Sequence, residues 1–262
     1  MKGHKMSKNL ELLTQLGEKY RELQRPPRAA KTTASTAESP APAALAPLPW
    51  MGEAATSSEV AKLVHRVFIA PGEEAPKKVV FCGADEENGS NLICARVAEA
   101  LASRTSGRVC LVDANVHVPL SAHPDGMASP FDAPEDGLLE PAIAVTRARQ
   151  IQGRKLWLLP AYAETAGRRT LIAPDRWREV LAELETEFHT ILVAAGPVQN
   201  CPDTMMLCQM VSGVILVIKA NATRRATARK LKEDLEALQV PLLGAVLNDR
   251  TYPIPESLYR RL

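Results

Sequence analysis

Short apolar runs alternate with amphipathic segments through most of the chain. Six runs rich in Val, Ile and Leu have the length and composition of buried strands, and they cover residues 79–81, 108–112, 155–160, 190–195, 214–219 and 242–247. Between them, apolar residues recur every three or four positions, which is typical of helices that pack one face; these segments cover residues 58–67, 93–101, 177–188 and 223–238. The alternation predicts an α/β fold with a doubly wound, mainly parallel sheet in a three-layer sandwich.

The first 56 residues depart from this pattern. Residues 7–24 predict an amphipathic helix, and residues 1–28 carry seven Lys or Arg against three Glu. This basic helix is either a solvated surface helix or a docking helix for a partner or an anionic membrane. Residues 25–56 are rich in Pro, Ala, Ser and Thr, a composition that does not favour ordering. We therefore expect an N-terminal helix (1–24), a disordered linker (25–56) and a globular domain (57–262).

The composition gives no support for nucleic-acid binding, a membrane span, secretion or a cysteine metal site. The formal net charge of +2 gives no global argument for nucleic-acid binding. No apolar run approaches the roughly 18 residues of a membrane span, and no apolar segment near the N-terminus marks a secretory signal. The five cysteines contain no C-x-x-C pair, which indicates buried, reduced thiols rather than a metal site. We expect a cytoplasmic protein.

The stretch 77–102 has the layout of a phosphate-binding P-loop. A strand is followed by a glycine-containing turn and a helix, and in a P-loop the backbone N–H groups of such a turn hold an anion. The motif G-x-x-x-x-G-K-[ST] is met only at Gly89, since Ala84 replaces the first glycine. Ser90 replaces the lysine that would reach the β- and γ-phosphates, and Asn91 replaces the hydroxyl residue that would hold Mg²⁺. The acidic residues 85–87 would also repel a triphosphate.

Of two strand ends where P-loop NTPases place acidic residues, one has an acidic residue here and the other does not. Asp113 follows the strand 108–112, and the carboxyl ends of parallel strands are where α/β sheets place ligands. Asp113 would position a water or a metal there, or it would cap the following turn; the sequence leaves both open. In P-loop NTPases a strand like 190–195 ends in an Asp that holds Mg²⁺, and the equivalent position here is Ala194.

The ordered set of motifs resembles one family, the bacterial tyrosine kinases of exopolysaccharide synthesis. These BY-kinases (CpsD/CapB-type) are cytoplasmic relatives of the MinD/ParA P-loop ATPases. The resemblance covers roughly residues 57–262, and after the P-loop it is carried by LVDANVHVP, KLWLLPA, FHTILVAAGPV and VPLLGAVLNDR. It implies a nucleotide-binding kinase domain of the fold predicted above.

Matched to the family, the nucleotide site is degenerate. The Walker A lysine and hydroxyl positions hold Ser90 and Asn91, and the second Walker box, commonly D-x-D, holds Asp113 and Asn115. Asp113 is the only acid of the family's site that the chain retains. The resemblance thus implies a degenerate nucleotide site of Gly89, Ser90, Asn91, Asp113 and Asn115, with no intact catalytic set and no metal site.

The oligomerisation helix and the tyrosine cluster of the family are only partly matched in this sequence. The family's oligomerisation helix carries E-x-x-R-x-x-R, and the matching residues are Glu59, Lys62 and His65. Family kinases often end in an autophosphorylated tyrosine cluster, whereas only Tyr252 and Tyr259 occur near residue 262. The resemblance implies an interaction surface at the first set and phospho-acceptors at the second.

These substitutions favour a pseudokinase. The hypothesis is a cytosolic scaffold or regulatory subunit of exopolysaccharide synthesis or export, which binds no nucleic acid. It would reach the inner membrane through a chain-length (Wzz-like) membrane protein or an active homologue, or it would form homo-oligomers. The alternative is an active autokinase that binds ATP or ADP with Mg²⁺ at an unorthodox site and phosphorylates Tyr252 or Tyr259. A third hypothesis is a MinD/ParA-like positioning protein, although those ATPases also depend on the missing lysine.

Overall fold

The computed structural model of the protein describes residues 58–70, 75–85, 88–116, 120, 144–165, 168–171, 174–199 and 201–250. These residues all belong to one compact unit, Pro42–Leu262. The predicted N-terminal helix (1–24) and linker (25–56) lie outside the described residues, as do Tyr252 and Tyr259.

All six predicted strands form, together with three short ones that the sequence did not indicate. The strands are β1 (Lys78–Gly83), β2 (Val109–Ala114), β3 (Arg149–Gln150), β4 (Leu156–Pro160), β5 (Tyr162–Thr165), β6 (Arg168–Leu171), β7 (Thr190–Ala195), β8 (Gly213–Lys219) and β9 (Leu242–Asn248). The helices are α1 (Ser58–Val64), extended by a π-helical turn (His65–Ile69), then α2 (Ser90–Arg104), α3 (Ala144–Arg147), α4 (Pro174–Glu187), α5 (Pro202–Cys208) and α6 (Arg225–Ala237).

Seven of the strands form one sheet in the order β3-β4-β2-β7-β1-β8-β9. All neighbours are parallel except β3, which pairs antiparallel with β4. Strands β5 and β6 form a separate antiparallel hairpin. The sheet confirms the predicted doubly wound, mainly parallel fold. Every residue of β2 and β7 is buried, as expected of central parallel strands that are covered on both faces.

Helices cover the sheet on two sides and create two apolar layers. One layer contains α4, α5 and α6 residues, among them Trp177, Leu181, Leu207, Leu231 and Leu235. The other contains residues of α1, its π-helical turn and α2, among them Val64, Phe68, Val97, Ala98 and Leu101. The core therefore has the three-layer arrangement that the sequence predicts. One detail differs: the helix predicted over 58–67 ends at Val64, and Phe68 in the π-helical turn is more deeply buried than Val67.

Helix α2 aims its N-terminus at the carboxyl end of the sheet. Small residues along one side of the helix, including Cys94, Ala95 and Ala98, are fully buried, so the helix lies close to the strands beneath it. The helix starts after Gly89, whose backbone is left-handed (φ 79°). It ends at Arg104, and the N–H of Thr105 donates to the Leu101 carbonyl at 3.0 Å. This orientation is the one that a phosphate-binding helix has in a P-loop.

Candidate functional site

The candidate site lies where the carboxyl ends of β1, β2, β7 and β9 meet. The strand register places Asp113 directly opposite Ala194, which in turn lies opposite Phe81. The end of β2 and the loop after β1 therefore flank the end of β7. Because ligands of open α/β sheets bind outside these strand ends, this is the edge at which a functional site is expected.

A glycine with a left-handed backbone shapes the loop at its junction with α2. Gly89 has φ 79°, a conformation that residues with a Cβ rarely adopt. A Cβ added to Gly89 would also collide with the side-chain amide of Asn248 at the end of β9. That amide donates to the carbonyl of Asn88 at 3.0 Å. The last residue of β9 thus binds the loop directly, across 160 positions of sequence.

The side chain of Asn88 fills the inside of the loop. Its amide nitrogen donates to the Asp85 carbonyl, and its Oδ1 accepts the backbone N–H of Ser90 at 2.7 Å. A Cβ added to Gly83 would overlap this amide, so the side chain occupies the space that the glycine leaves. The N–H of Ser90 is at the start of α2, where a P-loop directs its donors at a phosphate. Here a side chain of the chain itself accepts that N–H.

Ser90 is buried rather than directed into an open pocket. Its exposed fraction is 3%, and its hydroxyl donates to the carbonyl of Ala195 at 3.4 Å. Ser90 holds the motif position of the phosphate-binding lysine, but a serine hydroxyl carries no charge and is too short to reach across a nucleotide. This contact joins the start of α2 to the end of β7.

Asn91 and Asn115 form a buried amide pair. The Nδ2 of Asn115 donates to the Oδ1 of Asn91 at 3.1 Å, and their exposed fractions are 6% and 8%. These are the positions that the motifs assign to a Mg²⁺-binding hydroxyl and a Walker acid. The structure therefore brings these two predicted site residues together through one buried side-chain hydrogen bond.

Asp113 anchors the chain that leaves β2. It is fully buried, its Oδ2 accepts the N–H of Leu120 at 2.6 Å, and its Oδ1 accepts the N–H of Asn115 at 3.4 Å. These contacts are those of the turn-capping role, one of the two that the sequence left open. Burial raises the pKa of the Cys94 thiol well above its ordinary value, and the neighbouring Asp113 charge raises it further.

Sequence reasoning missed a second contact that fixes the loop. The Thr223 hydroxyl donates to Asp85 Oδ2 at 2.8 Å, and the Thr223 hydroxyl oxygen accepts the backbone N–H of Lys219 at 3.1 Å. The contact ties the β1–α2 loop to the segment between β8 and α6. The only local signal was a threonine four residues after a strand end, which is typical of side-chain capping. Asp85 is thus an acceptor inside the fold as well as a negative charge.

The predicted interaction residues lie on a different surface. Glu59 and Lys62 on α1, and His65 in the π-helical turn, are all exposed. Glu59 and Lys62 form an ion pair at 2.7 Å, and the hydrogen bond from Lys62 lowers the pKa of the Glu59 carboxyl. The opposite side of this segment packs into the core through Val64 and Phe68. The three residues therefore form an exposed polar stripe on a firmly packed helix.

The side chains at the site do not fit Mg²⁺–ATP. The lysine and hydroxyl positions hold Ser90 and Asn91, and the Asn88 amide occupies the phosphate cradle. Across the described parts of the chain, no group of three or more His, Cys, Asp or Glu side chains is arranged to hold a metal ion. No helix among those residues is long and apolar enough to cross a membrane.

Comparisons with known proteins identify the fold. No protein-family model matches the sequence, and no curated protein matches it. The VpsO kinase domain aligns with a TM-score of 0.58 at 24% identity, over 76% of this chain and 95% of that domain. The kinase domain of the Escherichia coli tyrosine kinase ETK aligns with a TM-score of 0.51 at 17% identity, over 68% and 70%. A ParA family ATPase from Chlorobium tepidum TLS gives 0.51 at 19% identity, over 71% and 80%. The chain therefore has the P-loop fold that these kinase domains and ATPases share.

Proposed function

We propose that this chain, with the fold of tyrosine-kinase domains and ParA ATPases, is a catalytically degenerate relative of the BY-kinases that acts through its surfaces. In this role it is a cytosolic scaffold or regulatory subunit of exopolysaccharide synthesis or export. Its partner is the cytoplasmic part of a membrane chain-length (Wzz-like) protein or an active homologous kinase. This partner would bring it to the inner membrane.

The observation that carries the proposal is the position of the Asn88 amide. An intact P-loop leaves its backbone donors free for a phosphate, whereas the N–H of Ser90 is bonded to Asn88 Oδ1 at 2.7 Å. A nucleotide would have to displace this buried side chain and then bind without lysine or a metal hydroxyl. Breaking a satisfied buried hydrogen bond without replacing it costs about 1–3 kcal/mol.

The missing groups are those on which phosphoryl transfer depends. Catalysis of this reaction is almost entirely positioning and neutralisation of charge. Loss of one such electrostatic group commonly costs about 10²–10³ in rate. This chain lacks the lysine, the hydroxyl and the Walker B acid together, and such losses need not add. Asp113 alone, bonded to Leu120, offers no replacement for the missing cation.

The α1 stripe supports a role in binding a partner. Glu59, Lys62 and His65 are exposed on a helix whose other side is buried in the core, and Ile69 follows them with 40% of its surface exposed. In such a contact, Ile69 would supply apolar surface and the three polar side chains would belong to its polar rim. Because the surface is built from side chains alone, it would function without nucleotide.

The alternative is an active autokinase, and the observation that favours it is the retained, fully buried Asp113 at the end of β2. Calorimetric titration with ATP and ADP, with and without Mg²⁺, separates the two functions. The scaffold proposal predicts no heat of binding up to roughly millimolar nucleotide. Mg²⁺-dependent binding at about micromolar Kd, together with ATP turnover that Asp113→Ala abolishes, would establish the kinase instead.

The partner is tested by binding to the purified cytoplasmic segments of a chain-length protein. Glu59→Ala combined with Lys62→Ala should weaken binding, because it removes charges from the α1 stripe. The matched control is Lys232→Ala with Glu236→Ala, which removes another exposed helical ion pair (2.6 Å) from α6. Equal affinity of both double variants would exclude the α1 stripe as the contact surface.

A further inference from the structure

The segment that connects β8 to α6, together with the first half of α6, carries charges of one sign. Residues 219–232 contain six Lys or Arg and no Asp or Glu. The acidic residues follow at Glu233, Asp234 and Glu236, so α6 has no acidic residue in its first turn and no basic residue in its last. The helix dipole favours the opposite order, with acids at the start and cations at the end. The charges of α6 are therefore not arranged to stabilise the helix.

Four of these cations are exposed, namely Arg224, Arg225, Arg229 and Lys230. No ion pair or side-chain hydrogen bond in the described part of the chain involves them. Arg225 and Arg229 lie four positions apart, where like charges on a helix repel each other. On the opposite side of α6, Leu231 and Leu235 are buried in the core. The helix is thus held by its apolar side, while these four cations face the solvent.

The exposed cations border a shallow depression on α6. Its volume is about 460 Å³, and it is lined by Arg225, Ala226, Arg229, Lys230 and Glu233. Three cations against one acid give this depression a net positive charge, and Ala226 contributes only a methyl group to it. A phosphate group would be attracted by the three cations, and Glu233 would oppose it.

An exposed leucine lies at the same end of the sheet as the start of α6. Leu247 on β9 is opposite Ile218 on β8, and Ile218 packs against the apolar layer that contains the buried residues of α6. Because neighbours across strands share a face, Leu247 lies on the face that α6 covers. It nevertheless exposes 53% of its surface. The N–H of Ala220 donates to the Asn248 carbonyl at 2.8 Å, so the end of β9 adjoins the segment that leads into α6.

We propose that the four exposed cations and Leu247, here called the α6 surface, bind anionic phospholipid membranes. The cations attract lipid phosphates, and each Lys or Arg near an anionic bilayer strengthens binding about fivefold. Leu247 would enter the boundary between headgroups and acyl chains, where apolar residues beside basic ones are stabilised. A nucleic acid would also attract the cations but would leave Leu247 in water, so the leucine favours lipid. This contact needs neither nucleotide nor a protein partner, and it goes beyond the scaffold role proposed above.

Sedimentation of the full chain with lipid vesicles tests the proposal. At about 0.1 M salt, the chain should bind vesicles of phosphatidylglycerol and phosphatidylcholine in equal parts but not vesicles of phosphatidylcholine alone. Arg225→Gln combined with Arg229→Gln should weaken binding about 25-fold, since two cations are lost. Glu233→Gln should strengthen binding, because it removes the opposing acid. The double variant also removes a repulsion within α6, so its thermal unfolding midpoint should not fall.

The matched control is Arg66→Gln combined with Lys77→Gln. It removes two exposed cations from another surface, beside the start of β1. Vesicle binding should fall much less in this control than in the α6 double variant. Equal losses in the two double variants would overturn the proposal. Unchanged binding of the α6 double variant would also overturn it, because the membrane contact would then belong to another part of the chain, such as the basic residues 1–28.

Leu247→Ser separates lipid from nucleic acid. It should weaken vesicle binding about threefold or more without changing the charge of the chain. Failure of the full chain to bind the anionic vesicles would overturn the proposal. Tighter binding to double-stranded DNA than to vesicles, lost in the α6 double variant but unchanged in Leu247→Ser, would overturn it in favour of a nucleic-acid surface.

Discussion

Removing the Asn88 amide should turn a filled P-loop into an anion site. Asn88→Ala keeps the Cβ but deletes the acceptor of the Ser90 N–H and the donor to the Asp85 carbonyl. Each lost hydrogen bond costs about 0.5–1.5 kcal/mol, and a buried group left without a partner raises this to about 1–3 kcal/mol. We expect a total loss of about 2–4 kcal/mol in the free energy of unfolding, which a domain of ordinary stability survives.

The freed N–H of Ser90 should then donate to inorganic phosphate as its replacement acceptor. At a phosphate concentration fifty times Kd, binding to the native state alone adds about 2.3 kcal/mol of stability. The assay is urea unfolding in phosphate and in chloride at matched ionic strength. Phosphate should restore part of the lost stability in Asn88→Ala and should have no specific effect on the unsubstituted chain.

The matched control is Ser103→Ala, at the other end of α2. Ser103 donates to the Ala100 carbonyl at 2.8 Å, so this variant also loses a side-chain hydrogen bond but leaves the loop unchanged. It should show no response to phosphate. A phosphate response of the unsubstituted chain as large as that of Asn88→Ala would refute the reasoning, because the cradle would then be open already. No response in either would show that the amide is not what excludes the anion.

Three further predictions concern the same region. Asn91→Ala and Asn115→Ala should show a coupling energy of about 0.5–1.5 kcal/mol in a double-mutant cycle by urea unfolding, and a coupling near zero would mean that the pair does not form. Gly83→Ala should cost about 1–3 kcal/mol in the unsubstituted chain but much less in Asn88→Ala, because the amide that its Cβ would meet is gone; equal costs would contradict this packing. Burial raises the pKa of the Cys94 and Cys110 thiols above their ordinary 9.0. As pH rises, these thiols therefore lose their protons first in the unfolded chain. The free energy of unfolding should keep its full value below about pH 9. Above that pH it should fall by up to about 1.4 kcal/mol per pH unit for each thiol. Replacing either thiol with Ala should make that fall shallower, and an unchanged slope would contradict the assignment.

The sequence predicted the strands whose burial leaves a strong pattern. β7 forms with the predicted bounds, 190–195, because a strand covered on both faces is a continuous apolar run. The hairpin of β5 and β6 was not predicted because its sequences, YAET and RRTL, mix charged and polar residues without alternation. β3 has only two residues, too few for any periodic signal.

At the candidate site, the sequence predicted which residues lie close together but not which hydrogen bonds their side chains make. Ser90, Asn91, Asp113 and Asn115 are close together because motif spacing and strand order already place them at one edge of the sheet. The role of Asn88 could not be predicted, since its contacts depend on the space beside Gly83. The contacts of Asn248 with Asn88 and of Thr223 with Asp85 span 160 and 138 positions. No local pattern encodes pairs of that separation.

The proposed loss of nucleotide binding would account for the residue types at this site. An empty loop leaves backbone N–H groups without acceptors, and a lysine without its phosphate would be a buried charge without a partner. A neutral amide carries both a donor and an acceptor, so it satisfies an N–H and a carbonyl at once. Asn88 does this within the loop, the Asn115 amide donates to the Asn91 amide oxygen, and Asn248 bonds the loop to β9. Under the proposed function, these asparagines take up donors and acceptors that a bound nucleotide would otherwise satisfy.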